Sequence, residues 1–164
     1  MEEKLRVHAE YGEFKADFEG SPEVISIAFI DFLNKVYPAF KLASKLVFKP
    51  DLIKLAQALE GVIEYSSEGL ILTPRDLTSE EAIMLSLLGV YVGNKLGFFT
   101  EESVSVTQIA TVSGKALKTI LNKLKGMIDD GLVERVGRGV YKIKSLGIKE
   151  AEKVLQNAKM RGHR

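Results

Sequence analysis

The residues of this chain whose types and spacing could do chemistry are hydrogen-bond donors rather than nucleophiles or metal ligands. Lys115, Lys118, Thr119, Asn122 and Lys123 recur at intervals of three and four, a spacing that gathers them on one side of a helix. Arg138 stands between Gly137 and Gly139. Ammonium and guanidinium groups meet phosphate oxygens, asparagine matches an adenine edge, and threonine can meet either. Such a set suits an anionic polymer that presents hydrogen-bonding edges. The plain alternative is a solvated helix face and an exposed turn arginine.

Other chemistries find less support. The 164 residues include no cysteine, which excludes disulfides and thiolate metal sites and fits a reducing cytoplasm. The two histidines, His8 and His163, stand at opposite ends of the chain, so neither a zinc site nor a histidine-based triad is suggested. Asp17, Glu19, Asp31 and Asp51 show no spacing that demands a metal or an acid–base pair. Gly137-x-Gly139 reads as a hairpin tip, because no helix follows it where a nucleotide-binding loop needs one. The expectation is a protein that is not an enzyme and uses no cofactor. The most apolar stretch, Ala82 to Gly93, is too short to span a membrane, and the N-terminus carries no apolar leader.

The elements that must position the donors read as follows. Thr78 and Glu81 form a capping-box pair that opens a long helix to about Leu96. That helix is apolar on most of its surface, so it is expected to be buried all round. Ser105 and Gln108 form a second pair, which starts a short helix carrying Ile109 and Ala110 inward. Ser113-Gly114 supplies a sharp turn. A third helix is expected over 115–130, with Leu117, Ile120, Leu121, Leu124, Met127 and Ile128 as its apolar stripe. Two strands then flank the Gly137-Arg138-Gly139 tip, where both glycines permit positive backbone angles. Ser145 opens a last helix to about Lys159, with Ala151, Val154, Leu155 and Ala158 on one face.

The stretch TQIATVSGKALKTILNKLKGMIDDGLVERVGRGVYKI, residues 107–144, resembles the winged helix-turn-helix family of archaeal and bacterial transcription regulators. With the long helix included, the likeness spans residues 78–159. It implies that Lys115, Lys118, Thr119, Asn122 and Lys123 lie on a recognition helix in the major groove of double-stranded DNA. It also implies that Arg138 sits on a wing tip, at the backbone or the minor groove. The appended last helix often serves dimerisation in such regulators. Winged helices also act as protein-interaction modules, so an adaptor within a larger complex is the second reading, and structured RNA a third.

Residues 1–77 resemble no family. They read as two hairpins, turning near residues 10–12 and 66–69, around three helices. The expectation is one small antiparallel sheet packed on those helices. In the first helix Val24, Ile25, Ile27, Ala28, Phe32 and Val36 form the expected core side. The fold class is thus α+β: an N-terminal sheet with three helices (1–77), a winged helix-turn-helix domain with an extra C-terminal helix (78–159) and a basic tail (160–164). Charge divides similarly. Residues 1–102 hold 10 Lys+Arg against 17 Asp+Glu, a net −7, whereas residues 103–164 hold 13 against 5, a net +8. The basic half is the one an anionic polymer would meet. The acidic half is left for homodimerisation, sensing or a protein partner, in a cytoplasmic setting.

Overall fold

Alternation over residues 5–20 produces strand β1 (Leu5–Tyr11), a turn at Gly12 and Glu13, and strand β2 (Phe14–Gly20). Their antiparallel register sets Val7 opposite Phe18 and Ala9 opposite Ala16, which gives the hairpin one half-buried face. His8 donates from Nδ1 to Asp17 at 2.6 Å across the strands. That hydrogen bond and the aspartate charge raise the pKa of the imidazole. Ser21 Oγ accepts from the Val24 backbone N–H, and Pro22 occupies the first turn of helix α1 (Pro22–Val36). Pro38 then begins α2 (Ala39–Leu46). The computed structural model describes residues 4–161.

The aromatic ring of Phe18 meets Phe29 and Phe32 of α1 edge-on, with centroids 6.1 and 6.0 Å apart. This cluster and Ile25 form the small core of the first unit. Two expected core residues are absent from it. Val24 is 59% exposed and Ile27 66%. The reason is helical period: Ile25, Phe29, Phe32 and Val36 follow one stripe, and at about 100° per residue Val24 and Ile27 fall well to its side.

Asp51 caps α3 (Leu52–Leu59) by accepting from the Lys54 N–H at 3.0 Å. Strands β3 (Ile63–Ser66) and β4 (Gly69–Leu72) form the second hairpin. The Thr78/Glu81 capping box is present at the start of α4 (Ser79–Lys95), and every residue from Ala82 to Val90 is buried. Then follow β5 (Val104–Ser105), α5 (Val106–Ser113), α6 (Leu117–Asp129), β6 (Val133–Gly137), β7 (Val140–Ile143) and α7 (Ser145–Arg161). Helix α4 is wrapped by α3, the second hairpin, α5, α6, β7 and α7. Tyr65 of β3 donates from its hydroxyl to the Gly89 carbonyl at 2.9 Å, and burial pushes its pKa to about 12. No helix among the described residues is long and apolar enough to cross a membrane.

The architecture is α+β, with four corrections to the expected layout. The hairpins do not join: β1–β2 and β3–β4 are separate two-stranded sheets, and the remaining strands form a three-stranded sheet of order β5-β7-β6. The apolar face of the second hairpin is covered by α4, which leaves it no need of another hairpin. Consequently the chain divides into units Met1–Lys49 and Pro50–Arg164, rather than at 77/78. In addition, the Ala151, Leu155 and Ala158 face of α7 is buried against α3 and α4 within the unit, so it is not left open for a second copy. The expected tail is also shorter, since α7 runs through Arg161. His163 and the rest of residues 162–164 lie outside the described residues.

Gly147 at the start of α7 is buried, and a Cβ there would stand 2.1 Å from the Leu132 carbonyl oxygen. A backbone atom cannot swing aside as a side chain can. Gly126 in α6 has nothing within 4 Å of the same added atom. Gly147→Ala is therefore expected to destabilise the protein by about 1–3 kcal/mol, and Gly126→Ala to stabilise it by about 0.5–1 kcal/mol. Thermal melts followed by circular dichroism check both, and equal shifts for the two variants would refute the close approach at Gly147.

Candidate nucleic-acid interface

The donors are positioned by three local devices. The Ser105/Gln108 capping box fixes the start of α5. Gly114 ends it in the left-handed region at φ 63°, which glycine adopts without a Cβ penalty. Ala116 is extended (ψ 136°) and supplies no side-chain cap, so α6 begins at Leu117. The helix expected over 115–130 is therefore two residues shorter at its front, and Lys115 lies in the turn. Lys115 is half-buried, its N–H donates to Ser113 Oγ at 3.3 Å, and it lines a cleft of about 250 Å³ together with Arg75.

Ile120, Leu124 and Met127 fix the orientation of α6 by being buried. At about 100° per residue the opposite side carries Lys118, Asn122 and Lys125, all exposed. Thr119 is exposed on one flank. On that flank Lys123 donates to Glu80 of α4 at 2.8 Å, an exposed ion pair that offsets part of its charge within the chain. The other flank corrects the expected apolar stripe. Leu117, Leu121 and Ile128 remain 44%, 41% and 36% exposed. A six-residue stripe is wider than the contact one helix can make with its neighbours here, and only its central three residues reach the core.

The β6–β7 hairpin is held by its register and its base. Arg135 faces Tyr141 and Gly137 faces Val140, which leaves Val136 as an extra residue on β6, a bulge. Gly139 takes φ 70°, whereas Gly137 stays out of the left-handed region; only one of the two tip glycines uses the freedom expected of both. The Val106 N–H donates to the Gly139 carbonyl at 2.8 Å, tying the tip to the start of α5. Arg135 Nε donates to the Gly137 carbonyl at 3.1 Å. Arg138 is exposed at the tip.

Ion pairs sort the cations of this basic half. Lys123 pairs with Glu80, Lys142 with Glu134 at 3.6 Å, Lys153 with Glu150 at 2.9 Å, and Arg161 with Glu81 at 2.5 Å. No ion pair among the described residues engages Lys115, Lys118, Lys125 or Arg138. Two residues join the candidate set that the sequence reading did not place there. Lys125 follows Lys118 by two helical turns; its spacing puts it on the same polar face, but the resemblance did not carry it into the DNA-contacting set. Arg75 comes from the link before α4, and no sequence spacing connects it with Lys115.

Comparison with known proteins finds no matching family, no matching curated protein and no matching solved structure.

Arg161 also illustrates why tail cations are not all free. Burial acts to raise the pKa of Glu81, but the Thr78 N–H and the Arg161 guanidinium outweigh it and the net shift is downward. A carboxylate with a depressed folded-state pKa contributes stability above its ordinary value near 4.5, which is lost as pH falls through the lower folded value. Arg161→Gln should therefore lower the melting temperature at neutral pH, and the gap to wild type should close on the acid side. A gap independent of pH would contradict the pairing.

Proposed function

We propose that residues 78–159 act as a winged helix-turn-helix module that binds double-stranded DNA, with the role of a transcription regulator in a prokaryotic cytoplasm. Helix α6 enters the major groove with Lys118, Asn122 and Lys125, and Arg138 at the β6–β7 tip meets the backbone or the minor groove. The observation that carries this reading is the set of cations left without internal partners. Lys118 and Lys125 share the outward side of one helix, and Arg138 tops the hairpin braced against α5. Lys115 and Arg75 add positive charge beside the turn. Thr119 lies at the margin of this face and Lys123 outside it.

Five such cations predict a plot of log K against log salt with a slope of about −4 to −5 per protomer. Replacing Lys118, Asn122 and Arg138 together by alanine removes two of the charges and should flatten that slope by about 2. Lys123→Ala should change it less. Fluorescence anisotropy with a labelled duplex over a salt series, with an A-form RNA duplex beside it, reads all three. Preference for the RNA would move the reading to structured RNA.

The first unit supports pairing of two copies. Among its described residues one large apolar side chain, Ile25, is buried, and Val24, Ile27, Leu42 and Leu46 are exposed. A unit of that size gains little from its own core and is commonly stabilised by association. The expected species in sedimentation is a dimer, shifted to monomer by Ile27→Asp. A monomer for the wild type at about 100 μM would count against this pairing.

One observation favours a second reading, a protein adaptor. Leu117, Leu121 and Ile128 lie exposed along a flank of the same helix that carries the donors, and an apolar strip suits a protein surface better than a phosphate backbone. Absence of duplex binding at low salt would select this reading.

A further inference from the structure

We infer that the cleft between the β3–β4 hairpin and α5 is a binding site for a small organic cation with a flat apolar body. The cleft measures about 850 Å³, within the range of roughly 300–1,000 Å³ that drug-sized ligands occupy. Leu70, Val90, Val104 and Ile109 give it an apolar floor, all of them buried. Phe98 stands at the rim, 59% exposed and stacked on Tyr65 with centroids 4.8 Å apart. An aromatic pair of this kind leaves a ring available for a planar or cationic group.

Charge decides the sign of the ligand. Glu68 and Glu101 are the charged side chains in the lining, which contains no lysine or arginine. Neither carboxylate has an ion-pair partner among the described residues, although the neighbouring Glu102 is paired with Lys95. An anion entering the cleft meets two uncompensated negative charges. A neutral apolar molecule gains only burial, whereas a cation gains burial, attraction to the carboxylates and contact with the aromatic rim. The third wall is the polar face of α5, including Thr107, Gln108 and Thr111. These groups can accept or donate hydrogen bonds, but they carry no charge.

This assignment does not rest on DNA binding. If α6 does meet DNA, α5 is the helix directly before it, and a ligand leaning on Thr107 and Thr111 sits where it can couple to that contact.

Fluorescence polarisation without DNA tests the site in the full chain. Rhodamine 6G is the probe, and fluorescein, an anion built on the same ring system, is its counter-probe. The expected result is saturable binding of the cation, with the anion bound about 10-fold or more weakly. Glu68→Gln/Glu101→Gln should weaken the cation about 10-fold and leave the anion unchanged or tighter. Phe98→Ala should weaken the cation as well. Phe98 is largely exposed and the glutamines are isosteric, so melting curves close to wild type are expected and confirm that the variants fold. Equal affinity for both dyes, cation binding indifferent to all three substitutions, or no cation binding up to about 1 mM would each overturn the assignment.

Discussion

The larger unit depends on burying α4 from every direction. Leu85, Leu87 and Leu88 are fully buried, and each contributes about 1.5–3 kcal/mol when its side chain leaves water. A helix with no solvent face cannot be covered by the segment that follows it alone. It recruits α3 and the β3–β4 hairpin from before it in the chain, and α5, α6, β7 and α7 from after it. Gly89 and Gly93 bring the hairpin close: an added Cβ at Gly89 would meet Leu70 at 2.2 Å, and one at Gly93 would meet the Tyr65 ring at 2.8 Å. Tyr65 then reaches the Gly89 carbonyl. The break in the chain falls at Lys49/Pro50 because residues 50–77 are part of the α4 wrapping.

The candidate interface follows from that packing. Ile120, Leu124 and Met127 bind α6 to the core, and their positions dictate that Lys118, Asn122 and Lys125 face away. The same approach brings Lys123 within reach of Glu80 and offsets part of its charge. The hairpin tip is fixed by a hydrogen bond to the start of α5 rather than by its own turn alone. Helix, turn and tip thus take their geometry from the buried helix behind them. The cleft arises in the same way: the hairpin and α5 both lean on α4, and the space between them is left lined by Glu68, Glu101 and Phe98.

Much of this was legible in the sequence, for reasons of range. The two capping boxes, the turn at Gly114 and the hairpin turns are set by residues within a few positions of one another. The burial of α4 was legible because its apolar residues leave no polar side. What escaped was decided across the chain. Lys123 and Glu80 are 43 residues apart, and nothing in either neighbourhood announces their pairing. Leu117, Leu121 and Ile128 fit an apolar stripe by spacing, yet spacing cannot say how wide the covering surface is. Val24 and Ile27 differ, because the helical period by itself already sets them off the Ile25, Phe29, Phe32 and Val36 stripe of α1. The hairpins looked alike as strands, and the difference between them lies in what covers each one. Arg75 and the cleft residues come from segments brought together only by the fold.

The most direct measurement of the proposed interface is a titration of the isotopically labelled protein with a short DNA duplex, followed by amide chemical shifts. Perturbations concentrated at Lys118, Asn122, Lys125 and Arg138, with α1 undisturbed, are the predicted result. Perturbations confined to the first unit or to the exposed leucine flank of α6, or none at low salt, would contradict DNA binding through this face.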